Sequence, residues 1–130
     1  MIKVDVFVKN KNWKRYISNP TNYLNNNLKY LKRSIVFLKR KKLSFSILLA
    51  GNNEIKILNK KFRGKNKTTD VLSFPYHEAF ELKKNKNTNV YLGDVILNYN
   101  KINKKNFKKD FNKLWVHGFL HLIGYTHKKD

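Results

Sequence analysis

Hydrophobic and polar residues alternate along this chain with two different periods. A period of two residues, typical of a half-buried β-strand, is clearest in IKVDVFV at the N-terminus. Comparable short apolar stretches predict four β-strands, at residues 2–8, 43–50, 70–75 and 90–97. The segment between the last two strands, residues 77–89, is polar and lysine-rich, so we expect a surface loop there.

The longer stretches between the strands carry apolar residues at helical spacing. They predict four helices, at residues 20–41, 52–62, 99–105 and 107–123. Asn19 and Pro20 are a typical N-cap and first-turn pair for the first helix, and Asn52 or Asn53 is expected to cap the second. The inner face of the second helix is predicted to carry Ile55, Leu58 and Phe62. The last helix is apolar on most faces, so we expect it to be buried in the centre.

This order of elements, β-α-β-α-β-β-α-α, predicts an α/β (α+β) fold with a small mixed sheet of about four strands packed with helices. At 130 residues the chain is long enough for one modest core and too short for two. Residues 1–130 are therefore expected to form a single domain. There is no cysteine, so neither disulfides nor thiolate metal ligands are available.

The charge of the chain is strongly positive, with a net charge of +21 from 29 basic and eight acidic residues. Such a charge attracts polyanions such as RNA. Most of the excess is lysine, alongside abundant asparagine, and both residues have A/T-rich codons. The charge therefore permits RNA binding without establishing it. The N-terminus lacks the apolar region of a signal peptide, and no stretch is long enough for a membrane span, so we expect a soluble cytoplasmic protein.

Three of the four histidines lie near the C-terminus in HGFLHLIGYTH, with the spacing H-x3-H-x5-H. His117 and His121 are four residues apart, so on a helix their imidazoles lie on the same face. Gly124 suits the position after the helix because glycine adopts the left-handed conformation without strain, and a turn there can bring His127 back. Three neutral imidazoles and an open fourth position describe a catalytic zinc site. The alternative is that these are ordinary histidines beside a buried helix.

The same spacing matches the peptidase template H-E-x-x-H-x-x-G-x-x-H, in which the glutamate is the general base. Gly118 stands where that glutamate is needed, and Met1 is the only methionine, so no methionine turn can follow. A metzincin-like peptidase is therefore a minor alternative for this chain.

Three segments together resemble the YbeY family of bacterial zinc-dependent endoribonucleases, which act in ribosomal RNA maturation. LNKKFRGKNKTTDVLSFP, at residues 58–75, is similar to the family pattern L-N-x-x-[YF]-R-x-x-[DN]-x-P-T-D-V-L-S-F-P. HGFLHLIGYTH is similar to H-G-x-L-H-L-x-G-Y-D-H, and LGDVIL, at residues 92–97, matches L-G-D-I-x-I. Their order and separation also agree, so the resemblance covers most of residues 43–127.

The resemblance implies a mixed α/β, zinc-hydrolase-like fold with one Zn²⁺ per chain bound by His117, His121 and His127. It also implies that Arg63 is the catalytically important, phosphate-binding arginine; without the resemblance, Arg63 reads as a surface residue at the end of the second helix. The implied function is a single-strand-specific endoribonuclease in ribosomal RNA processing, at the 3′ end of the small-subunit RNA. The implied partners are ribosomal RNA and the small ribosomal subunit, with no membrane or DNA partner.

Three departures from the family pattern bear on these expectations. Thr126 stands where the family usually has an aspartate beside the third histidine, so a carboxylate able to orient a ligand is absent at this position. Thr68 replaces a proline, and we expect this to loosen a turn. The sequence ends at Asp130, whereas relatives usually continue into a glutamate-containing segment. The first and third departures favour an alternative function, a non-catalytic ribosome-assembly factor whose zinc only holds the C-terminal helix.

The general base stays open at this stage. Asp70, Asp94 and Asp110 are the carboxylates outside strand edges, helix starts, loops and the terminus. Asp70 and Asp94 lie in the family-like segments, but each can equally cap a turn or brace a ligand. His77 is expected to be a solvated loop residue.

Aromatic residues near the family-like segments are available to stack on the bases of single-stranded RNA. They are Phe74, Tyr76 and Tyr125. Aromatic residues at such positions are more often part of the core.

Overall fold

The computed structural model describes residues 2–31, 42–77 and 89–124. The predicted helix beyond residue 31, most of the predicted loop at 77–89, and the predictions for Tyr125, Thr126 and His127 lie outside these residues. The described part contains a four-stranded mixed sheet, and the α/β (α+β) expectation is confirmed.

The sheet has the strand order β1-β2-β4-β3, with β1 at Ile2–Val8, β2 at Lys42–Ala50, β3 at Val71–Pro75 and β4 at Asn89–Asn98. The central strands β2 and β4 are parallel to each other, and β1 is parallel to β2. β3 is antiparallel to β4 and forms an edge of the sheet. All four predicted strands are confirmed, with bounds within one residue of those expected.

In the described ranges three α-helices lie around the sheet: α1 at Pro20–Leu31, α2 at Asn52–Arg63 and α3 at Phe107–Leu122. The side chain of Asn19 accepts a hydrogen bond from the Asn22 backbone N–H at 3.1 Å, as predicted for the start of α1. The cap of α2 is Gly51, one residue earlier than predicted. The Glu54 side chain accepts from the Gly51 N–H at 3.0 Å and closes this helix start.

The prediction of a helix at residues 99–105 is wrong. The structure has two short 3₁₀ turns there, at Tyr99–Lys101 and Lys104–Asn106. The side chains of Asn98 and Asn103 each accept from a backbone N–H two residues ahead, at 3.0 Å in both cases. Asparagine side chains that bond the local backbone favour turns over helix, which explains the difference.

The two faces of the sheet are covered unequally. Along β2, Phe45, Ile47 and Leu49 point to the face covered by α1 and α3 and are fully buried. The residues between them point to the face of α2, where a smaller cluster contains Ile55, Leu72 and Ile96. The prediction that α3 lies in the centre is confirmed, because its buried apolar side chains join the larger cluster: Phe107, Phe111, Leu114, Trp115, Phe119 and Leu122.

Among the helices in the described ranges, none has the length and apolar character needed to cross a bilayer.

Candidate active site

Two helices from opposite faces of the sheet meet beside its edge strand β3 and form a cleft of about 510 Å³. α2 contributes its last two residues, and α3 contributes two histidines. We call it the histidine cleft; it is lined by Phe62, Arg63, Thr69, Asp70, Val71, Ser73, Phe74, His117 and His121. The cleft therefore gathers residues from two of the family-like segments, which are more than 40 positions apart in the sequence.

His117 and His121 lie one turn apart on α3 and point to the same side, as their spacing predicts. Their ring centroids are 4.8 Å apart, with an angle of 58° between the ring planes. Both side chains are half-buried, so they are accessible from the cleft. Two imidazoles bound at about 2.1 Å to one tetrahedral zinc have ring centres about 5 Å apart. The observed pair is therefore compatible with a shared zinc ion.

The third predicted ligand, His127, lies outside the described residues. Within residues 2–31, 42–77 and 89–124, no group of three or more His, Cys, Asp or Glu side chains is close enough to hold a metal ion. The described donors thus supply two of the three nitrogens that the sequence predicts. The ligand set stays a prediction.

Gly118 allows α3 to approach the sheet closely. A Cβ atom at this position would lie 2.5 Å from Val95 Cγ1 and 3.3 Å from Ser73 Oγ. Ser73 Oγ also donates a hydrogen bond to the Gly118 carbonyl at 3.1 Å. The position occupied by the general base in the peptidase template is therefore packed against β3 and β4, which weakens the peptidase alternative further.

Arg63 is the last residue of α2 and is exposed to solvent. Gly64 ends the helix in a left-handed conformation, with φ of +69°, and its N–H donates to the Lys60 carbonyl at 3.1 Å. This cap stops α2 beside β3, where the Arg63 side chain lines the same cleft as both histidines. The cleft thus combines two imidazoles with one guanidinium.

The loop between α2 and β3 is held by buried asparagines. Asn98 Nδ2 lies 2.9 Å from both Thr68 Oγ1 and the Thr69 carbonyl. Thr68 Oγ1 also donates to Asn52 Oδ1 at 3.1 Å. Asn59 Nδ2 donates to the Lys67 carbonyl at 2.9 Å. The Thr68 hydroxyl thus connects the loop to Asn52 and Asn98, and the expected loosening relative to proline stays a prediction.

The structure separates the three carboxylates that the sequence left open. Asp70 lines the histidine cleft and is exposed. Asp110 Oδ2 instead accepts from the Asn103 N–H at 2.9 Å, which ties the 3₁₀ turns to α3. Asp94 lies on the α2 face of the sheet, outside this cleft. Asp70 is therefore the candidate general base among the three.

The sequence reasoning missed Thr69 and Ser73 as residues of the cleft. Both lie inside the family-like segment at residues 58–75, and their proximity to Asp70 in the sequence could have indicated that they line the same cleft. Of the aromatic residues considered for stacking, Phe74 lines the cleft and Tyr76 does not. His77 also lies outside the cleft.

A family model described as "Endoribonuclease YbeY" matches residues 7–130 of this chain. A protein of Pelagibacter ubique named Endoribonuclease YbeY is 43% identical over 135 positions, which cover 99% of this chain and 85% of that protein. Proteins with the same name from Thermodesulfovibrio yellowstonii and Leptospira interrogans are each 38% identical, over 66% and 65% of this chain and 55% and 72% of their own lengths.

The fold also resembles a solved structure. A protein of Thermotoga maritima, determined in solution, is 27% identical and superimposes with a TM-score of 0.50. The alignment covers 100% of this chain and 77% of that protein.

Proposed function

The chain belongs to the endoribonuclease YbeY family, and on that basis we propose that it cleaves single-stranded RNA in the histidine cleft. The resemblance carried by the three segments is thereby confirmed. The observation that carries the proposal is that His117, His121 and Arg63 line one cleft at the edge of the sheet. The substrate we propose is ribosomal RNA, at the 3′ end of the small-subunit RNA, with the small ribosomal subunit as partner.

His117, His121 and His127 would hold one Zn²⁺ per chain, since imidazole nitrogens suit this metal and no thiolate is available. When bound, zinc supplies a Lewis acid beside the phosphate. The role of His117 and His121 is to present their nitrogens from one rigid helical face.

Arg63 would bind the scissile phosphate with its planar fork of N–H donors. Negative charge builds up on the phosphate oxygens as the attacking oxygen approaches phosphorus, and a fixed guanidinium stabilises that charge. The capped end of α2 and the asparagine-held loop keep Arg63 beside β3. Preorganisation of this kind lowers the barrier because little rearrangement is needed during the reaction.

Asp70 would take the proton from the attacking hydroxyl as the new O–P bond forms, while the opposite P–O bond breaks and its oxygen leaves as a hydroxyl after taking a proton from solvent. Asp70 lines the same cleft and is solvent-exposed, so its carboxylate is accessible to a substrate hydroxyl. That the substrate is single-stranded is part of the proposal, and a cleft of about 510 Å³ at the sheet edge is compatible with one RNA backbone.

We further propose that residues 1–130 form a single domain that works in the cytoplasm, where its net charge of +21 draws it to ribosomal RNA.

The test is metal content and RNA cleavage, measured on wild type, His121→Ala and His77→Ala. Wild type is expected to carry one zinc per chain and to cleave single-stranded RNA until a chelator is added. His121→Ala is expected to lose zinc and to fall to the activity of chelated wild type. His77→Ala is the matched control, because it removes a histidine outside the cleft and is expected to keep its zinc. Full zinc in His121→Ala, or cleavage that ignores the chelator, would refute the proposal.

A further inference from the structure

A second cavity, of about 460 Å³, lies on the α2 face of the sheet and shares two aromatic walls with the histidine cleft. Phe62 and Phe74 line both cavities, and their ring centroids are 5.5 Å apart in an edge-to-face arrangement. We call it the aromatic groove, and its main walls are Phe7, Leu48, Phe62, Phe74, Tyr76 and Asp94. A ligand that extends from one cavity to the other contacts the same two rings.

A β-bulge places the carboxylate of Asp94 in this groove. Ser44 of β2 pairs with Tyr91 of β4, but Ser46 pairs with Asp94, so β4 contains one extra residue at this point. The extra residue turns Tyr91 and Asp94, three positions apart, to the same face. Gly93 has φ of +139°, and a Cβ there would lie 2.2 Å from the Phe74 carbonyl oxygen. Only glycine permits this bulge.

Asp94 is held by neutral hydroxyl groups. Tyr76 donates to Oδ2 at 3.0 Å, and Tyr91 donates to Oδ1 while sharing a 2.6 Å hydrogen bond with Ser46. Each carboxylate oxygen can accept two hydrogen bonds, so one acceptor position remains on each when only the described residues are counted. Although the chain has 29 basic residues, the one ion pair within the described residues joins Lys3 and Asp5. The Asp94 carboxylate therefore offers two acceptor oxygens and has no cationic partner among the described residues.

We propose that the aromatic groove is a subsite for a guanine base of the RNA substrate, next to the phosphate bound in the histidine cleft. This proposal rests on the proposed function. The Watson–Crick edge of guanine presents two adjacent N–H donors, which match the two remaining acceptor positions of Asp94. Phe62, Phe74 and Tyr76 provide ring faces and edges against which a splayed base packs.

The charge of Asp94 decides which part of the RNA enters the groove. A carboxylate repels a phosphate, so the backbone stays with Arg63 and only the neutral base reaches Asp94. Adenine, cytosine and uracil lack a second adjacent N–H donor, and uracil places two carbonyl oxygens beside its single N–H. Each therefore leaves one acceptor of the carboxylate unmatched, which disfavours it relative to guanine.

An arginine side chain from a protein partner has the same pair of N–H donors. RNA is favoured here because the groove shares its Phe62 and Phe74 walls with the cleft that contains Arg63 and the histidines.

The experiment compares a short single-stranded RNA with one guanosine and the same RNA with inosine, which lacks the 2-amino donor. Binding to the full-length protein is measured in the presence of chelator, so that cleavage does not interfere. Wild type is expected to bind the guanosine RNA about tenfold more tightly, the usual contribution of one hydrogen bond to a charged group. Asp94→Asn is expected to bind both RNAs equally, because the amide replaces one acceptor with a donor. Asp5→Asn is the matched control, since it removes an equal charge from an exposed strand position and should keep the preference.

A second pair of variants tests the aromatic wall. Phe62→Ala is expected to weaken binding of the guanosine RNA about tenfold, since one stacked base is lost. Ile57→Ala removes an equally exposed apolar residue from α2 that lines neither cavity, and it should bind like wild type. Equal losses in both variants would contradict a base contact at Phe62.

Cleavage of ordinary RNA by wild type, measured in parallel, separates this proposal from the proposed function. Cleavage without any guanosine preference in binding, or a preference that survives in Asp94→Asn, overturns the proposed guanine subsite but not the proposed RNA cleavage. A guanosine preference in binding without any cleavage supports the subsite and overturns the proposal that the protein cleaves RNA. An arginine-containing peptide whose binding requires Asp94, with RNA binding unchanged in Asp94→Asn, assigns the groove to a protein and overturns the subsite.

Discussion

The two faces of the sheet differ in how completely helices cover them. On the face covered by α1 and α3, Phe45 and Phe119 are fully buried, with ring centroids 5.0 Å apart. On the face of α2, Phe7, Phe62 and Tyr76 are 58%, 59% and 60% exposed. The first face buries its aromatic rings in the main core, whereas the second leaves them in contact with solvent.

This difference indicates that one face of the sheet mainly stabilises the fold, whereas the other is available for ligand binding. Apolar burial on the covered face stabilises the fold. The open face leaves room for the aromatic groove, and the histidine cleft forms where α2 and α3 both reach the edge strand β3. Solvent-exposed aromatic rings, on which bases stack, are typical of proteins that bind single-stranded nucleic acid.

The largest expected effect contrasts one phenylalanine from each face. Phe45→Ala should lower the free energy of unfolding by about 3–5 kcal/mol, because it leaves a cavity in the main core. Phe62→Ala should lower it by less than about 1 kcal/mol, since the ring is largely exposed and contacts mainly Phe74. Denaturant unfolding of the two variants measures both values. A loss in Phe62→Ala as large as that in Phe45→Ala would remove the distinction between the faces.

A smaller expected effect on the open face is a change in the free energy of unfolding with pH, caused by Tyr91. Burial, followed by the hydrogen bond to Asp94, raises the pKa of Tyr91 from 10.0 to about 12. The folded state thus favours the neutral phenol, and this contribution to stability is complete below pH 10 and is lost as pH rises from 10 towards 12.

Tyr91→Phe should therefore lose less stability than wild type over that pH range, while lysine deprotonation affects both proteins alike. Unfolding measured at several alkaline pH values, together with tyrosinate absorbance, gives the comparison. Identical pH profiles for the two proteins would contradict a raised pKa of Tyr91 in the folded state.

The parts of the molecule that follow from local geometry were predictable from the sequence. The strands follow from their hydrophobic period, and the common face of His117 and His121 follows from their spacing of four residues. The two 3₁₀ turns at residues 99–106 were not predicted, because the lysines there fit a polar helix and the hydrogen bonds of Asn98 and Asn103 are not visible in the sequence. Asparagine hydrogen bonds to nearby N–H groups decide the conformation there.

The assignment of Asp70 and Asp94 to different cavities depends on contacts between distant segments. Asp70 joins the histidines only because α2, β3 and α3 converge at the sheet edge. Asp94 turns away from them because of the bulge at Gly93, and a glycine inside a predicted strand was the one local sign of it. Phe62 was predicted on the inner face of α2, but it is exposed because α2 covers only part of the sheet.

The most direct test of the central claim is single-turnover RNA cleavage by wild type, Arg63→Lys and Arg63→Ala, each checked for fold and bound zinc. If Arg63 stabilises charge on the phosphate, Arg63→Ala should cleave on the order of 10²- to 10³-fold more slowly, with fold and zinc content unchanged. Arg63→Lys should recover only part of the rate, because an ammonium keeps the charge and loses the planar fork. Lys56→Ala, which removes an exposed cation of α2 outside both cavities, should cleave like wild type. Equal rates in all four proteins would exclude Arg63 from the chemistry, and zinc-loaded wild type that binds ribosomal RNA without cleaving it would contradict the account.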